Sequence, residues 1–175
     1  MSTTPTYTVI GAGHGGKAMA AHLALMGFRV TLFNRTPDRV AAVKARRGID
    51  LESYGGGPNG FARLATVTSD MTQALAEADL VMVVVPSSAH AEVGCALLEA
   101  GIDVLVEKPI AADLPSARRL VETAQRGVQR GILAQRAGIV PLKRGNLLGV
   151  QGPAEDAGAG DVALEAALAV AVRTD

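Results

Sequence analysis

Short apolar segments rich in β-branched residues alternate with longer segments rich in alanine and leucine along most of the chain. The short segments predict strands, which begin at residues 6, 29, 64, 80 and 103 and run TYTVI, RVTLF, LATVT, LVMVVV and DVLVE. The longer segments predict helices over 17–26, 37–47, 71–77, 89–100 and 114–126. Because LVMVVV lacks polar alternation, its strand is expected to be buried on both faces, as in a parallel sheet covered by helices. The pattern therefore predicts an α/β fold with a doubly wound parallel sheet.

Helix-capping residues support these boundaries. Thr36 precedes Pro37, Asp70 precedes Met71, and Asp113 lies close to Pro115. Side chains of this kind accept hydrogen bonds from the free N–H groups of a helix start, so helices are predicted to begin after each of them.

The alternation breaks in two places. Residues 49–64 form IDLESYGGGPNGFARL, whose glycine-rich centre predicts a β-hairpin or a long loop. Residues 136–160 are rich in glycine and weakly periodic, which predicts a loop or linker, and a helical pattern returns over 161–173. At 175 residues, 49% of them hydrophobic, the chain is expected to form a single domain, with its sheet in 1–135 and its C-terminal helix packed on it.

The charge balance gives no indication of nucleic acid or an anionic membrane surface as a partner. Seventeen Lys and Arg residues match 17 Asp and Glu residues, so we expect neither nucleic acid nor a membrane as a partner. No apolar run approaches the roughly 18 residues of a membrane span, and the N-terminus lacks a basic leader, so a cytoplasmic protein is expected.

Cys95 lies in an apolar helical pattern and is predicted to be a buried thiol. The histidines, His14, His22 and His90, are scattered, so no metal site is expected.

A glycine-rich turn carries the strongest functional signal. Gly11, Gly13 and Gly16 stand in a GxGxxG pattern between the first predicted strand and the first predicted helix. In such a turn the first glycine permits a sharp bend, the second lets a pyrophosphate approach, and the third lets the helix pack closely on the strand. The helix N-terminus then offers free N–H groups and a positive dipole end to the phosphates. The pattern predicts a Rossmann dinucleotide-binding fold, with cofactor contacts from Gly11, Gly13, His14, Gly15 and Gly16.

The end of the second predicted strand bears on the choice of cofactor. NAD-binding proteins place an Asp or Glu there to bind the ribose 2′-hydroxyl, whereas this chain has Asn34, Arg35 and Thr36. An arginine favours a 2′-phosphate through charge-assisted hydrogen bonds worth about 1.5–3 kcal/mol. These three residues therefore predict NADP in preference to NAD. In the alternative, Arg35 is a solvated loop residue and Asn34 serves either cofactor.

Two further strand ends contribute candidate residues. Val85, Pro86 and Ser87 lie at the end of the fourth predicted strand, where doubly wound dehydrogenases contact the ribose and nicotinamide, although a purely structural turn is the alternative. Glu107 ends the fifth predicted strand and Lys108 follows it, at the edge where open α/β sheets bind ligands. We expect both to face cofactor or substrate, the alternative for Lys108 being a solvated lysine at a strand end.

Two family resemblances cover different parts of the chain. The stretch VIGAGHGGKAMAAHLALMGFRVTLFNRTPDRV, with GIDLES, GFARLATVTSD and ADLVMVVVPSSAHAEV, resembles the cofactor domain of the opine (octopine/nopaline) dehydrogenases and glycerol-3-phosphate dehydrogenase-like proteins over about residues 7–93. That resemblance implies reductive condensation of an amino acid with a keto acid, or its reverse, catalysed by residues of a following helical domain. We expect such a domain to be absent from this chain.

The region over about residues 89–135, which contains HAEVGCALLEAGIDVLVEKPIAADLPSARRLVETAQ, resembles the cofactor domain of the glucose-fructose oxidoreductase and myo-inositol dehydrogenase family. The motif that carries this resemblance is Glu107, Lys108 and Pro109. The resemblance implies that Lys108 is catalytic, lying beside the nicotinamide and the substrate hydroxyl and assisting proton transfer on a sugar or polyol. Desolvation favours the neutral amine that this role needs.

Three functions follow from these observations. In the first, the protein is an NADP- or NAD-dependent oxidoreductase that acts on a small polar metabolite, either a sugar or polyol or an opine-type amino acid derivative. In the second, it is a non-catalytic NADP-binding module, truncated or dependent on a partner chain for its substrate site. In the third, the face that a catalytic domain would cover is a homo-oligomer interface, and a second copy completes the site.

Overall fold

The structure is a computed structural model that describes residues 4–54, 56–136, 145–148 and 171–174. The chain divides into two compact units, Met1–Val85 and Pro86–Asp175. The prediction of one domain over residues 1–135 remains a prediction.

The first unit contains parallel strands of a Rossmann sheet. Its elements are β1 (Thr6–Ile10), α1 (His14–Leu25), β2 (Arg29–Phe33), α2 (Asp38–Arg46), β3 (Gly48–Leu51), β4 (Gly60–Arg63), β5 (Thr66–Thr68), α3 (Met71–Leu75) and β6 (Leu80–Val83). Four of the strands pair in parallel in the order β5-β2-β1-β6. This confirms the predicted α/β Rossmann fold, since the chain moves outward from β1 and then returns to its other side at β6.

The core of this unit is formed by the apolar runs that define the strands. Among the described residues, Val9, Leu32, Val81 and Val83 are fully buried. The register places Ile10 beside both Phe33 and Val83, so β1, β2 and β6 end at the same edge. Ligands of open α/β sheets bind outside this edge, where the strand order reverses.

The hairpin predicted for residues 49–64 is present and begins one residue earlier, at Gly48. Strands β3 and β4 pair antiparallel, with Gly48 opposite Arg63 and Leu51 opposite Gly60. They form a separate two-stranded sheet. Leu64 is not part of the following strand, which begins at Thr66, because its main-chain N–H donates to Arg47 O at 3.2 Å instead.

Two of the three predicted caps in the chain are present. An Asp70 carboxylate oxygen accepts from Thr72 N at 2.8 Å, and an Asp113 oxygen accepts from Ser116 N at 2.8 Å. The prediction for Thr36 is wrong, because no side chain caps α2, and Thr36 contributes its carbonyl to Arg39 N at 3.1 Å.

The second unit contains α4 (Ser87–Glu99), β7 (Val104–Val106), α5 (Leu114–Arg136), β8 (Gly145–Leu148) and β9 (Ala171–Thr174). Helices α4 and α5 pack where Gly94 leaves room for Leu120, which is 1% exposed. A Cβ on Gly94 would lie 2.6 Å from Cδ1 of Leu120. Cys95, on the same helix, is buried as predicted.

The structure corrects the C-terminal predictions where it describes that region. Residue 136 belongs to α5 and 145–148 form a strand, so these parts of the predicted 136–160 linker are regular structure. Residues 171–173, predicted as the end of the 161–173 helix, lie in β9, which pairs antiparallel with β8. Cross-strand bonding of the β-branched segment AVRT overrides the local helical pattern. The remaining parts of both predictions lie outside the described residues.

Candidate functional site

The glycine turn begins directly after β1 with a backbone that requires glycine. Gly11 has a φ of +115°, and a Cβ there would lie 2.2 Å from the carbonyl oxygen of Val84. The main-chain N–H of Gly11 donates to Phe33 O at 2.9 Å, and Val84 N donates to Ile10 O at 2.9 Å. The turn is therefore held against both neighbouring strands, and the positive φ of Gly11 fits the sharp bend expected of the first glycine.

Gly16 brings the first helix close to this turn. A Cβ on Gly16 would lie 1.8 Å from the carbonyl oxygen of Gly11 and 2.9 Å from its carbon, both of them main-chain atoms. Any side chain would push the start of α1 away from β1. The geometry matches the close helix–strand packing predicted for the third glycine of the pattern.

Gly13 faces open space. Its φ of −70° suits any residue, and an added Cβ would meet no atom within 4 Å. Gly13, His14 and Gly15 are exposed. Packing within the protein therefore does not require glycine at position 13, and the absence of a side chain leaves this part of the turn accessible.

The start of α1 next to Gly13 offers free hydrogen-bond donors. The first bond of the helix runs from Lys17 N to Gly13 O at 3.0 Å, so the N–H groups of residues 14–16 have no acceptor within the helix. No side chain caps this end, and its first turn holds no acidic residue. Together with the positive end of the helix dipole, this is an environment that attracts an anion.

Asn34 supports the turn from the end of β2. Its Oδ1 accepts from the main-chain N–H of Ala12 at 3.2 Å, and its Nδ2 donates to Thr36 O at 3.2 Å. Its own N–H donates to Thr68 O at 3.2 Å. Asn34 therefore joins the glycine turn to the loop that carries Arg35, and its contact with a cofactor stays a prediction. Arg35 and Thr36 are exposed.

Sequence reasoning missed two contributors to the turn. Val84 supplies the carbonyl that excludes a side chain at Gly11, and Ala12, only 3% exposed, supplies the N–H that Asn34 binds. The small residue between the two glycines was the available signal for Ala12. The role of Val84 depends on the pairing of β1 with β6, which the local sequence does not show.

The remaining candidates differ in exposure. Val85 ends the first unit and is half-buried. In the second unit Pro86 is exposed, Ser87 is the half-buried first residue of α4, and Glu107 and Lys108 are exposed after β7. Because Lys108 is exposed, any desolvation of its amine would have to come from a bound cofactor, a substrate or another domain.

The Lys108–Pro109 peptide bond is cis, and the Pro109 carbonyl oxygen lies 2.9 Å from Nδ1 of His90, a residue 1% exposed. Sequence reasoning placed His90 at the start of a helix and missed this contact. The helix placement is confirmed, since His90 lies in the first turn of α4.

The remaining observations concern Arg119, possible metal ligands and possible membrane spans. The pKa of Arg119 is raised, first by a hydrogen bond with the Cys95 side chain and further by the negative charges of Glu99 and Glu92. Within the part of the chain that the structure describes, no three His, Cys, Asp or Glu residues are placed to hold a metal ion. None of the helices described there is both long and apolar enough to cross a bilayer.

Comparison with known proteins places this geometry among dehydrogenases. Residues 6–131 match the oxidoreductase family with an NAD-binding Rossmann fold, GFO/IDH/MocA. The chain is 38% identical over 93 residues to the opine dehydrogenase of Arthrobacter sp. (strain 1C), an alignment that covers 53% of this chain and 25% of that protein. It is 31% identical over 128 residues to myo-inositol dehydrogenase Hyg17 of Streptomyces leeuwenhoekii, covering 69% of this chain and 33% of that one. Both resemblances inferred from the sequence are confirmed.

Among solved structures, the UDP-N-acetylglucosamine 3-dehydrogenase GnnA of Acidithiobacillus ferrooxidans superposes with a TM-score of 0.55 at 25% identity, covering 82% of this chain and 46% of that one. The chain spans about a quarter to a third of the length of the two curated relatives, the opine dehydrogenase and the myo-inositol dehydrogenase.

Proposed function

Because the chain belongs to the oxidoreductase family with the NAD-binding Rossmann fold, we propose that it binds the pyrophosphate of a nicotinamide dinucleotide at its glycine turn and serves in hydride transfer. The observation that carries the proposal is the open space at Gly13 beside the uncapped start of α1. A phosphate at this place would accept hydrogen bonds from N–H groups that the helix itself leaves unused. The bound nicotinamide supplies the redox chemistry, and the protein orients it.

NADP is the proposed cofactor. Arg35 is exposed beside Asn34, and Asn34 fixes the loop through Ala12 and Thr36. No carboxylate occupies residues 34–36, so the strand end has no acceptor of the type that holds a ribose 2′-hydroxyl in NAD-binding proteins. An exposed guanidinium on a fixed loop suits a 2′-phosphate dianion.

Lys108 is the proposed catalytic residue of the oxidoreductase. It would transfer a proton to or from the substrate oxygen or nitrogen while the neighbouring carbon exchanges a hydride with the cofactor. The names of the two curated relatives support a small polar substrate, either a polyol or sugar or an opine-type amino acid derivative. Glu107 and Ser87 are proposed to contact the cofactor or substrate with it.

A second candidate function is a non-catalytic NADP-binding module, whose substrate site requires another domain or chain. The observation that favours it is the exposure of Glu107 and Lys108. A second copy of the chain is one way to cover these residues, which makes a homo-oligomer part of this proposal. We place the protein in the cytoplasm, with small molecules and neither nucleic acid nor a membrane as partners.

Cofactor titration tests binding. With NADP at a hundred times its dissociation constant, the free energy of unfolding should rise by about 2.7 kcal/mol, measured as a shift in thermal unfolding. Arg35→Asp should lower the NADP-to-NAD affinity ratio by about one to two decades, because the charge-assisted bonds to the 2′-phosphate are lost. Arg118→Asp makes the same charge change on the exposed surface of α5 and should leave the ratio unchanged. If neither dinucleotide shifts the unfolding temperature, the proposed binding site is wrong.

A substrate screen separates the two candidate functions. Sugars, polyols, 2-hydroxy acids and N-carboxyalkyl amino acids are offered with oxidised cofactor, and nicotinamide reduction is followed by absorbance. The oxidoreductase predicts turnover that Lys108→Ala abolishes and that Lys44→Ala, an exposed lysine on α2, leaves intact. Binding without turnover supports the module, and molecular mass in solution tests the homo-oligomer.

A further inference from the structure

One buried histidine of the second unit contacts the turn that carries Lys108. His90 is 1% exposed, and its Nδ1 lies 2.9 Å from the carbonyl oxygen of Pro109. A carbonyl oxygen accepts hydrogen bonds and cannot donate them, so Nδ1 carries the hydrogen and donates it.

This hydrogen bond connects two segments that the proposed function assigns to the cofactor. His90 lies three residues after Ser87, the first residue of α4, and so on the same side of the helix. Pro109 directly follows Lys108. The bond therefore joins the beginning of α4 to the turn after β7, across 19 positions of sequence.

We propose that His90 is a positioning residue that holds the main chain at Lys108 in place relative to Ser87; this inference rests on the proposed function, in which Lys108 faces the nicotinamide. Glu107, Lys108 and Pro109 are all exposed. Exposed turns open at low free-energy cost, so a bond to a buried donor has a large effect on where their main chain lies. The hydrogen bond from His90 would thereby keep the proton-transfer group aligned to within a fraction of an ångström.

Three substitutions separate this role from general packing. Asn carries its δ amide nitrogen on Cγ, as His carries Nδ1, so His90→Asn keeps a donor near the Pro109 carbonyl. His90→Gln has the same amide one carbon further out, and His90→Leu has no donor. His22→Leu, on the half-buried surface of α1 in the first unit, is the matched control for losing a histidine.

The test uses the full chain and two measurements that need no substrate. Hydrogen exchange followed by mass spectrometry reports the opening of residues 107–112, with residues 11–16 as an internal reference for folding. Acetic anhydride labelling reports the reactivity of the Lys108 amine with and without saturating NADP. Saturation is verified separately for each variant by titration.

His90→Leu and His90→Gln are expected to raise exchange in 107–112 by about tenfold, the effect of losing one buried hydrogen bond, and to abolish the protection of Lys108 by NADP. His90→Asn and His22→Leu should behave as the wild type in both measurements. If His90→Leu fails to fold, the contrast between the Asn and Gln variants carries the test.

The inference is overturned if the Asn variant loses protection as fully as the Gln variant, or if both retain it. Should NADP bind wild-type protein without protecting Lys108, the proposed placement of Lys108 is wrong and the role of His90 falls with it. Should NADP not bind at all, the proposed function itself fails. The three failures are distinguished by the wild-type titration and the wild-type labelling.

Discussion

Gly13 and Gly16 lie three residues apart in one turn, yet adding a methyl group is expected to affect them in different ways. At Gly16 the new Cβ would lie 1.8 Å from a main-chain oxygen, so the start of α1 must retreat by more than about 1 Å. Overpacking costs about 1–3 kcal/mol, and a collision with backbone puts Gly16→Ala near the upper end. A loss of about 3 kcal/mol lowers the unfolding temperature of a chain this size by about 6–12 °C.

At Gly13 the same methyl meets no atom within 4 Å. Alanine restricts the unfolded chain, which stabilises by about 0.4–1 kcal/mol, but it is a poorer residue than glycine before a helix, which offsets part of that gain. The unfolding temperature of Gly13→Ala should therefore stay within about 4 °C of the wild type. Its dissociation constant for NADP should rise by at least about tenfold, or 1.4 kcal/mol, because the methyl occupies the space proposed for the pyrophosphate.

Thermal unfolding followed by circular dichroism, without cofactor, measures the first effect, and calorimetric titration with NADP measures the second. Each variant is the control for the other, since the chemical change is the same. Wild-type affinity in a folded Gly13→Ala protein would refute the placement of the phosphate over this residue. Wild-type stability in Gly16→Ala would refute the close packing of α1 on the turn.

Three further predictions concern the helices. Asp70→Ala should lower stability by about 1 kcal/mol in chemical denaturation, because the first N–H groups of α3 lose their acceptor; an unchanged midpoint would contradict the cap. Gly94→Ala should lower the free energy of unfolding by about 1–3 kcal/mol, because its Cβ would lie 2.6 Å from a buried leucine of α5. Gly127→Ala, whose Cβ would meet no atom within 4 Å, should raise the free energy of unfolding by about 0.5–1 kcal/mol through helix propensity. Hydrogen bonds from the backbone N–H and the side chain of Ser116 lower the pKa of Asp113. The ionised carboxylate therefore contributes to the free energy of unfolding above the ordinary aspartate pKa, and this contribution is lost as the pH falls through the lowered pKa. The stability of Asp113→Asn, followed by denaturation from about pH 5 to about pH 2, should depend less on pH than that of the wild type; equal slopes would contradict the assignment.

Much of the fold follows from the order of residues alone. The strands β1, β2, β6 and β7 lie within the predicted apolar runs, and the hairpin of β3 and β4, over residues 48–63, begins one residue before the predicted segment 49–64. These features are visible because burial on both faces demands an unbroken apolar strand, and a reversal of the chain demands glycine. The predicted end of the last long helix at residue 126 is wrong, since α5 continues to Arg136. The extension contains Gly127 and Gly131, but a glycine inside a helix costs only about 1 kcal/mol relative to alanine.

The sequence by itself determined the spacing of Gly11, Gly13 and Gly16, and with it the kind of turn that joins β1 to α1, because that turn depends on backbone freedom at known positions. Only the tertiary structure decided what each glycine faces: the Val84 carbonyl for Gly11, the turn itself for Gly16, and open space for Gly13. The bonds from Ala12 to Asn34 and from His90 to Pro109 likewise join residues 22 and 19 positions apart. Such contacts depend on how strands and helices are placed beside one another, and local spacing does not encode that placement.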